Sequence, residues 1–333
     1  MKHVHESPAM RQHGQATAAQ RQLFCIEMVR SCSDLIDELQ RERGLSLLAL
    51  SPQAESYAAA LREQVGLSRE AEQILRDRLR DISVLQAAGF TGMQELMHAG
   101  LAVLNSPGLA DLTGMRQLVL LIHCSREQAF TAYNDLLAQL LGLVDVARTA
   151  LHDAELEREL GTLEQLMLAK EYSGQERGCG SGLLASGLHD AQAWRHILAL
   201  IEAQQRCASQ FISQARPAAR RRLQETLSAE TQRELEVLRQ RLASSVDGAR
   251  MDPALCEVWF CTCSRRMNEL REVERGLLDE IREGLQHKLE QIAMRGTLAM
   301  HAGSGRLPTA AVETILRTAA AWLAGDGQLK HVA

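Results

Sequence analysis

Two arginines occupy helix positions where the surrounding pattern predicts apolar side chains. Arg43 lies in a Glu-Arg-Gly segment at residues 42–44, and Arg177 lies in a second one at residues 176–178. Counting back by three or four residues gives Leu39, Leu35, Cys32, Met28 and Phe24 before Arg43, and Gly174, Lys170, Met167, Leu163, Leu160 and Leu156 before Arg177. A guanidinium on an inward helix stripe is unfavourable unless an anion meets it. The pattern therefore predicts either an anion site or a pair of internal salt bridges.

A third arginine, Arg266, lies on the most regular amphipathic stripe of the chain. The stripe recurs at helical spacing and consists of Trp259, Cys263, Arg266, Leu270, Val273, Leu277 and Ile281. Helix register, and nothing else in the sequence, selects Arg266 over Arg265 as the inward residue. Converging guanidiniums offer parallel donors to a small planar oxyanion and stay charged near neutral pH. Their mutual repulsion would resist closure of the site until the anion enters.

The alternative is that each arginine pairs with a carboxylate close to it in sequence. Glu42, Glu176 and Glu274 are the candidates, and ion pairs of this kind are common between helices. The pattern by itself leaves both interpretations open.

The composition predicts an all-α protein. Only 3% of the 333 residues are aromatic and six are proline, while strong helix formers dominate. After a flexible leader at residues 1–16, we expect four helices with short connections, the arrangement of an up-and-down bundle. Their predicted ranges are 17–50, 52–67, 69–86 and 89–104. A second helical series is expected from Asp111, with helices at 115–147, broken near Cys124, and at 148–172. The glycine-rich residues 178–182 then interrupt the series, before helices at 190–214, 216–245 and from Pro253.

Charge and hydropathy exclude several classes of protein. A net charge of -5 argues against non-specific coating of nucleic acid. The most apolar run, residues 136–146, is too short to span a membrane and contains Asp145. The N-terminus has no apolar core of a secretory signal, so the eight cysteines are expected to be thiols of a cytoplasmic protein. We expect no metal, no cofactor and no enzymatic activity, because no nucleophile–base order or phosphate loop stands out.

Three segments resemble, in order, the motifs of the nitrate- and nitrite-sensing (NIT) domain family. They are Leu39-Gln40-x-Glu42-Arg43-Gly44-x-Ser46, then Lys170-Glu171-x-x-x-Gln175-Glu176-Arg177, then Trp259-Phe260, Ser264, Arg266-Met267-Asn268, Leu270-Arg271 and Val273-Glu274. The resemblance implies two four-helix bundles that share long helices over residues 17–291, and nitrate or nitrite as the ligand. It implies that Arg43, Arg177 and Arg266 contact the anion.

The C-terminal residues 292–333 resemble, in outline, the ANTAR module, a small RNA-binding element used in transcription antitermination. The similarity lies in Arg295-Gly296-Thr297-Leu298, in a helix from Leu307-Pro308 to Ala320, and in Leu329-x-x-Val332-Ala333. The third helix of that module is cut short, and the basic residues are few: Arg295, Arg306, Arg317 and Lys330. A homodimer is expected, because dimerisation would double these phosphate contacts.

Together these features predict a cytoplasmic sensor of nitrate or nitrite that regulates nitrate-assimilation genes through leader RNA hairpins. The alternative is a ligand-sensing regulator that has lost RNA binding and acts through a protein partner.

Overall fold

A computed structural model describes residues 8–51, 54–87 and 94–301. Over these residues the chain forms helices and no strand, which confirms the predicted all-α class. The helices are α1 (Pro8–Ala49), α2 (Ala54–Ala87), α3 (Gln94–Leu104), α4 (Pro107–Ala110), α5 (Leu112–Leu120), α6 (Arg126–Thr149), α7 (Ala154–Ala185), α8 (Ala191–Gln214), α9 (Pro217–Thr226), α10 (Ala229–Ala243) and α11 (Leu255–His301).

The long helices α7 and α11 belong to two bundles at once. The first bundle packs α1, α6, α7 and α11 around one core, and α2 packs along α1 and adds Leu75 and Leu79 to that core. The second packs the C-terminal part of α7 and the N-terminal part of α11 with α8 and α10 around Trp259, Ile197 and Leu235. Two bundles that share long helices are the predicted architecture. Their shared helices give the chain a stiff connection between the two cores.

Contacts between the helices set their relative directions in the first bundle. Lys170 and Arg177 of α7 meet, in order, Asp37 and Gly44 of α1, and Glu274 and Ser264 of α11. Helices α1 and α7 therefore run in the same direction, and α11 runs against them.

Helix α1 begins at Pro8, before the start predicted at Thr17. The intervening residues are mostly good helix formers, and proline is tolerated in a first helical turn because its missing N–H is not needed there. The predicted leader of residues 1–16 is therefore wrong for its second half, and residues 1–7 lie outside the described ranges.

Helix α2 is continuous where two helices were predicted with a turn near Ser68. The exposed Gly66 lies within it, and a glycine inside a helix costs only about 1 kcal/mol relative to alanine. The Ser68 hydroxyl donates to the carbonyl of Gln64 at 3.1 Å, so it follows the helix instead of capping a new one.

Helix α7 runs through the glycine-rich residues 178–182, where the sequence predicted a break. The glycines serve close packing: a Cβ at Gly180 would overlap the indole ring of Trp259, and one at Gly178 would lie 2.9 Å from the ring of Phe130. Large side chains from other helices thus fill the space that side chains on α7 would need, and the segment stays helical.

The second helical series breaks near Cys124, as predicted. Ser125 caps α6 in a reciprocal arrangement with Gln128, which fixes the start of that helix. Residues 216–245, predicted as one helix, form α9 and α10, because the Ser228 hydroxyl accepts from the backbone N–H of Thr231 and starts a new helix.

All eight cysteines are free thiols, as predicted. Within the described ranges, none of the helices combines the length and the apolar character needed to span a bilayer.

Candidate anion site

At the centre of the first bundle, α1 and α7 each have a glycine against which an arginine of the other helix packs. A Cβ added at Gly44 would lie 2.5 Å from Nη2 of Arg177, and one added at Gly174 would overlap Nη2 of Arg43. Each guanidinium therefore lies against the bare backbone of the opposite helix. The local sequence Arg43-Gly44 supplies one arginine and makes room for the other.

Arg43 is fully buried and carries its own counter-charge. Its Nη1 donates to Oε1 of Glu171 at 2.6 Å and to Oδ1 of Asn134 at 2.5 Å, and its Nη2 donates to Oε2 of Glu171 at 3.2 Å. Its guanidinium lies 5.8 Å from the ring centroid of Phe130. Its Nε is buried and has no hydrogen-bond partner among the described residues. One positive charge thus faces one negative charge.

Arg177 is equally buried but has no carboxylate partner in the described part of the chain. Its Nη2 donates to the carbonyl of Gln40 at 2.6 Å, its Nη1 donates to the hydroxyl of Ser264 at 2.9 Å, and its Nε has no partner. The ring centroid of Phe260 lies 4.8 Å from the guanidinium carbon. Burial, and then repulsion from Arg43, lower the pKa of Arg177 to about 10. Its positive charge is therefore held by neutral groups alone.

The carboxylates proposed as local partners of these arginines are occupied elsewhere. Each is bound by another cation, from a different part of the chain: Glu42 by Arg116, Glu176 by Arg239, and Glu274 by Lys170. Neighbouring residues on a helix point about 100° apart, so a carboxylate next to an arginine in sequence faces another helix. The salt-bridge interpretation fails for the three pairs that were predicted.

About two helical turns before Arg177 on α7, a second group of buried charges is balanced. Lys170 contacts Asp37 and lies 2.5 Å from Glu274, and Arg271 lies 2.5 Å from Asp37. Although burial opposes the charged form of Lys170, the two carboxylates raise its pKa. Ser33 also donates to Glu274. Arg271 also pairs with Glu38 at 2.9 Å, so both cations here have carboxylate partners.

Arg266 lies apart from the pair formed by Arg43 and Arg177. It is half-buried, and burial lowers its pKa, while the charges that act on it belong to Glu269, Arg239 and Glu176. It makes no hydrogen bond or ion pair within the described ranges. Arg265, in contrast, is exposed and pairs with Glu234. Helix register predicted that Arg266, not Arg265, points inward, and Arg266 is the more buried of the two. In the structure Arg266 lies close enough to Arg239 for the two charges to interact.

Several polar and aromatic groups of the site carried no charge signal in the sequence. Asn134 and Phe130 come from α6, one helical turn apart, and Ser264 and Phe260 come from α11, also one turn apart. Phe260 and Ser264 belong to the third segment that resembles the NIT family, whereas only the fold identifies Asn134 and Phe130 as neighbours of the arginines.

The arrangement leaves one uncompensated positive charge in a buried layer. Arg43 and Arg177 supply two positive charges against the single carboxylate of Glu171. A buried cation without a counter-ion is costly, and a bound monovalent anion would remove that cost. The layer is therefore suited to bind a small anion with oxygen acceptors in one plane.

The basic residues predicted to contact RNA cannot be placed in this way. Arg306, Arg317 and Lys330 lie outside the described ranges, and for Arg295 only the backbone, within α11, is described.

Comparison with known proteins agrees with this architecture. The chain is 27% identical over 259 residues to the nitrate regulatory protein of Klebsiella oxytoca; the match covers 78% of this chain and 62%, less than two thirds, of that protein. The solved structure of the NasR transcription antiterminator superposes with a TM-score of 0.73 over 97% of this chain and 82% of that one, at 23% identity, which shows a shared fold. Residues 34–282 match the family model for nitrate and nitrite sensing, and the chain therefore belongs to the nitrate- and nitrite-sensing (NIT) family.

Proposed function

We propose that this protein senses nitrate or nitrite through an anion site between α1, α7 and α11. The observation that carries the proposal is Arg177, a buried guanidinium whose hydrogen-bond partners among the described residues are the carbonyl of Gln40 and the hydroxyl of Ser264. Membership of the NIT family and the similarity to a nitrate regulatory protein support the choice of anion.

The charge and shape of the layer select among anions. The layer near Arg177 has one excess positive charge. A monovalent anion would neutralise this charge, whereas a divalent sulfate would leave one excess negative charge. Nitrate and nitrite carry oxygens in one plane, to which the Nε–H groups of Arg43 and Arg177 could donate, both of which are unpartnered. A chloride ion offers no such directional acceptors. We therefore expect nitrate and nitrite to bind more tightly than either chloride or sulfate.

We propose Arg266 as the third contact, reached by a movement of α11 when the anion binds. Because Arg266 forms no ion pair with any described residue, moving its guanidinium breaks none of the ion pairs described above. Helix α11 carries Ser264, which contacts Arg177, and continues without a break to His301. A shift of α11 would therefore reach the C-terminal residues directly, because a continuous helix transmits displacement along its axis.

We propose that the output is binding of leader RNA by the C-terminal residues 292–333, in a cytoplasmic regulator of nitrate-assimilation genes that acts as a homodimer. The candidate phosphate contacts are Arg295, Arg306, Arg317 and Lys330. Few positive charges give weak RNA binding, so pairing of two chains would strengthen it.

Calorimetric titration of the full chain with sodium nitrate and sodium nitrite tests the site. Arg177→Leu and Arg43→Leu should each weaken binding by about a hundredfold or more, since hydrogen bonds to charged groups contribute about 1.5–3 kcal/mol each. Arg265→Leu is the matched control, because it removes an exposed arginine that pairs with Glu234. Binding that survives in both site variants would place the anion elsewhere.

Deleting residues 292–333 tests the output separately. The proposal predicts unchanged nitrate binding and loss of binding to a leader hairpin RNA. Retention of nitrate-dependent gene regulation by the shortened chain would contradict the RNA-binding output and favour a protein partner.

A further inference from the structure

A surface pocket of about 270 Å³ adjoins the paired arginines. Its lining includes Leu47, Arg126, Glu127, Phe130 and Gly178. Leu47 lies one helical turn beyond Arg43 on α1, and Gly178 follows Arg177 on α7. The pocket therefore lies immediately beyond the anion layer along both helices.

The cation of this pocket is Arg126, the first residue of α6. Its Nη1 donates to the carbonyl of Leu47, and its Nη2 donates to the carbonyl of Gly178 at 3.4 Å. It has no carboxylate partner in the described part of the chain, and burial lowers its pKa. Arg126 thus resembles Arg177 in being a partly or wholly buried guanidinium that only neutral acceptors hold.

Phe130 forms the wall between this pocket and Arg43. It lines the pocket, one helical turn from Arg126, and its ring centroid is 5.8 Å from the Arg43 guanidinium. The same ring fills the space at Gly178 that a side chain would occupy. Phe130 is half-buried, whereas Arg43 and Arg177 are 0% and 3% exposed. An anion therefore reaches the arginine pair only when a side chain or a helix moves.

We propose that this pocket is the entrance of the anion site, with Arg126 capturing the anion and Phe130 rotating to admit it. The inference rests on the proposed function. Rotation of one half-buried ring disturbs far less packing than separation of α1 from α7, whose contact surface is closed by the two arginines. Leu183 and Ala193 make the passage largely apolar, which favours weakly hydrated monovalent anions over strongly hydrated ones.

The role of Phe130 is tested by binding kinetics of the full chain with nitrate. Phe130→Leu should raise the association and dissociation rate constants together, by about tenfold, and change Kd much less than either rate. Stopped-flow tryptophan fluorescence provides the signal, because Trp259 packs on Gly180 of the same helix as Arg177. Exchange of labelled nitrate by NMR provides the same rates independently.

Phe260→Leu is the matched control for Phe130→Leu. Phe260 also lies over a site guanidinium, at 4.8 Å from Arg177, but it does not line the pocket. Loss of its cation–π contact should weaken equilibrium binding through faster dissociation and leave association unchanged. Equal kinetic effects in the two variants would overturn the role of Phe130 as a barrier.

Substitutions that remove or keep the positive charge of Arg126 test its role. Arg126→Gln should slow nitrate association by about tenfold and flatten its dependence on ionic strength, because a charge at the mouth of a cleft steers the ligand. Arg126→Lys should restore most of the rate. Arg148→Gln removes the same charge from the far end of α6, where Arg148 pairs with Asp145 and Glu164, and should leave association unchanged.

Different results would refute the proposed anion site and the proposed entrance. If the unaltered protein binds no nitrate, or binds it without Arg43 and Arg177, the proposed function is wrong. If nitrate binding requires both arginines and the variants at Phe130 and Arg126 keep the original rates, the anion enters by another route and the entrance alone is refuted.

Discussion

The first bundle contains two layers of buried charges, built from the same helices. The charges of one layer are paired, and the other layer has an excess positive charge. In one layer Lys170 and Arg271 face Asp37 and Glu274. In the other, Arg43 pairs with the carboxylate of Glu171, and the hydrogen-bond partners of Arg177 among the described residues are the neutral groups of Gln40 and Ser264. The first layer is complete within the protein and resists change. Among the described residues, the second has one positive charge more than it has carboxylates, and this excess charge is the basis of the proposed anion site.

This comparison also explains why burial alone does not identify a binding site. Lys170 is as buried as Arg177, yet carboxylates raise its pKa, whereas burial and Arg43 lower the pKa of Arg177. Lys170 is therefore neutralised within the fold, whereas the described residues offer Arg177 neutral hydrogen-bond partners only.

The largest effect on stability is expected in the balanced layer. Lys170→Met should reduce the free energy of unfolding by about 3–5 kcal/mol, because it leaves two buried carboxylates without their shared cation. Urea denaturation measures the loss, and Lys170→Arg should recover part of it. A loss of less than about 1 kcal/mol would show that the layer is not the tightly coupled network described above.

A smaller effect of opposite sign is expected in the unbalanced layer. In nitrate-free buffer, Arg177→Met should leave the free energy of unfolding unchanged or raise it by about 1–3 kcal/mol, since it removes a buried charge with no counter-ion. The same urea titration applies. Destabilisation comparable to that of Lys170→Met would mean that Arg177 is a structural ion and would remove the distinction between the layers.

The smallest stability changes are expected for alanine substitutions at two helical glycines, Gly44, which faces Arg177, and Gly66, which faces open space. Gly44→Ala would direct a Cβ at Nη2 of Arg177, so it should weaken nitrate binding about tenfold while its helix-propensity gain offsets part of the strain. Gly66→Ala points into open space and should stabilise the fold by about 0.5–1 kcal/mol.

The two alanine variants are compared by calorimetry with nitrate and by thermal unfolding. Unchanged nitrate affinity in Gly44→Ala would show that the position of the Arg177 guanidinium does not govern binding. A loss of affinity in Gly66→Ala would show that the effect is not local to the site.

The sequence predicted the helical class, the shared long helices and the inward direction of Arg43, Arg177 and Arg266. These depend on composition and on helical periodicity, both of which are local. The partners were not predictable in the same way: Arg116 and Arg239 come from 74 and 63 residues away from the carboxylates that they bind. Sequence neighbours such as Glu42 therefore suggested pairings that the bundle does not make.

The glycine-rich residues 178–182 show a second limit of local inference. Glycines in succession usually indicate a turn, and here they indicate close packing, because Trp259, Phe130 and Arg126 approach them from other helices. Only the tertiary structure distinguishes these two uses of glycine. Arg126 and Phe130, which line the proposed entrance, come from α6, and only the tertiary structure places Phe130 beside Gly178 of α7.

Nitrate or nitrite should bind at the uncompensated charge of Arg177. Thermal unfolding of the full chain, with nitrate and nitrite compared against chloride and sulfate at constant ionic strength, tests it most directly. At about a hundred times Kd, a ligand specific for the folded state adds about 2.7 kcal/mol, which raises Tm by at least about one or two degrees for a chain of this size. We expect Tm to rise with nitrate or nitrite alone, and we expect no such rise in Arg177→Met. Equal melting temperatures in all four anions would contradict this expectation.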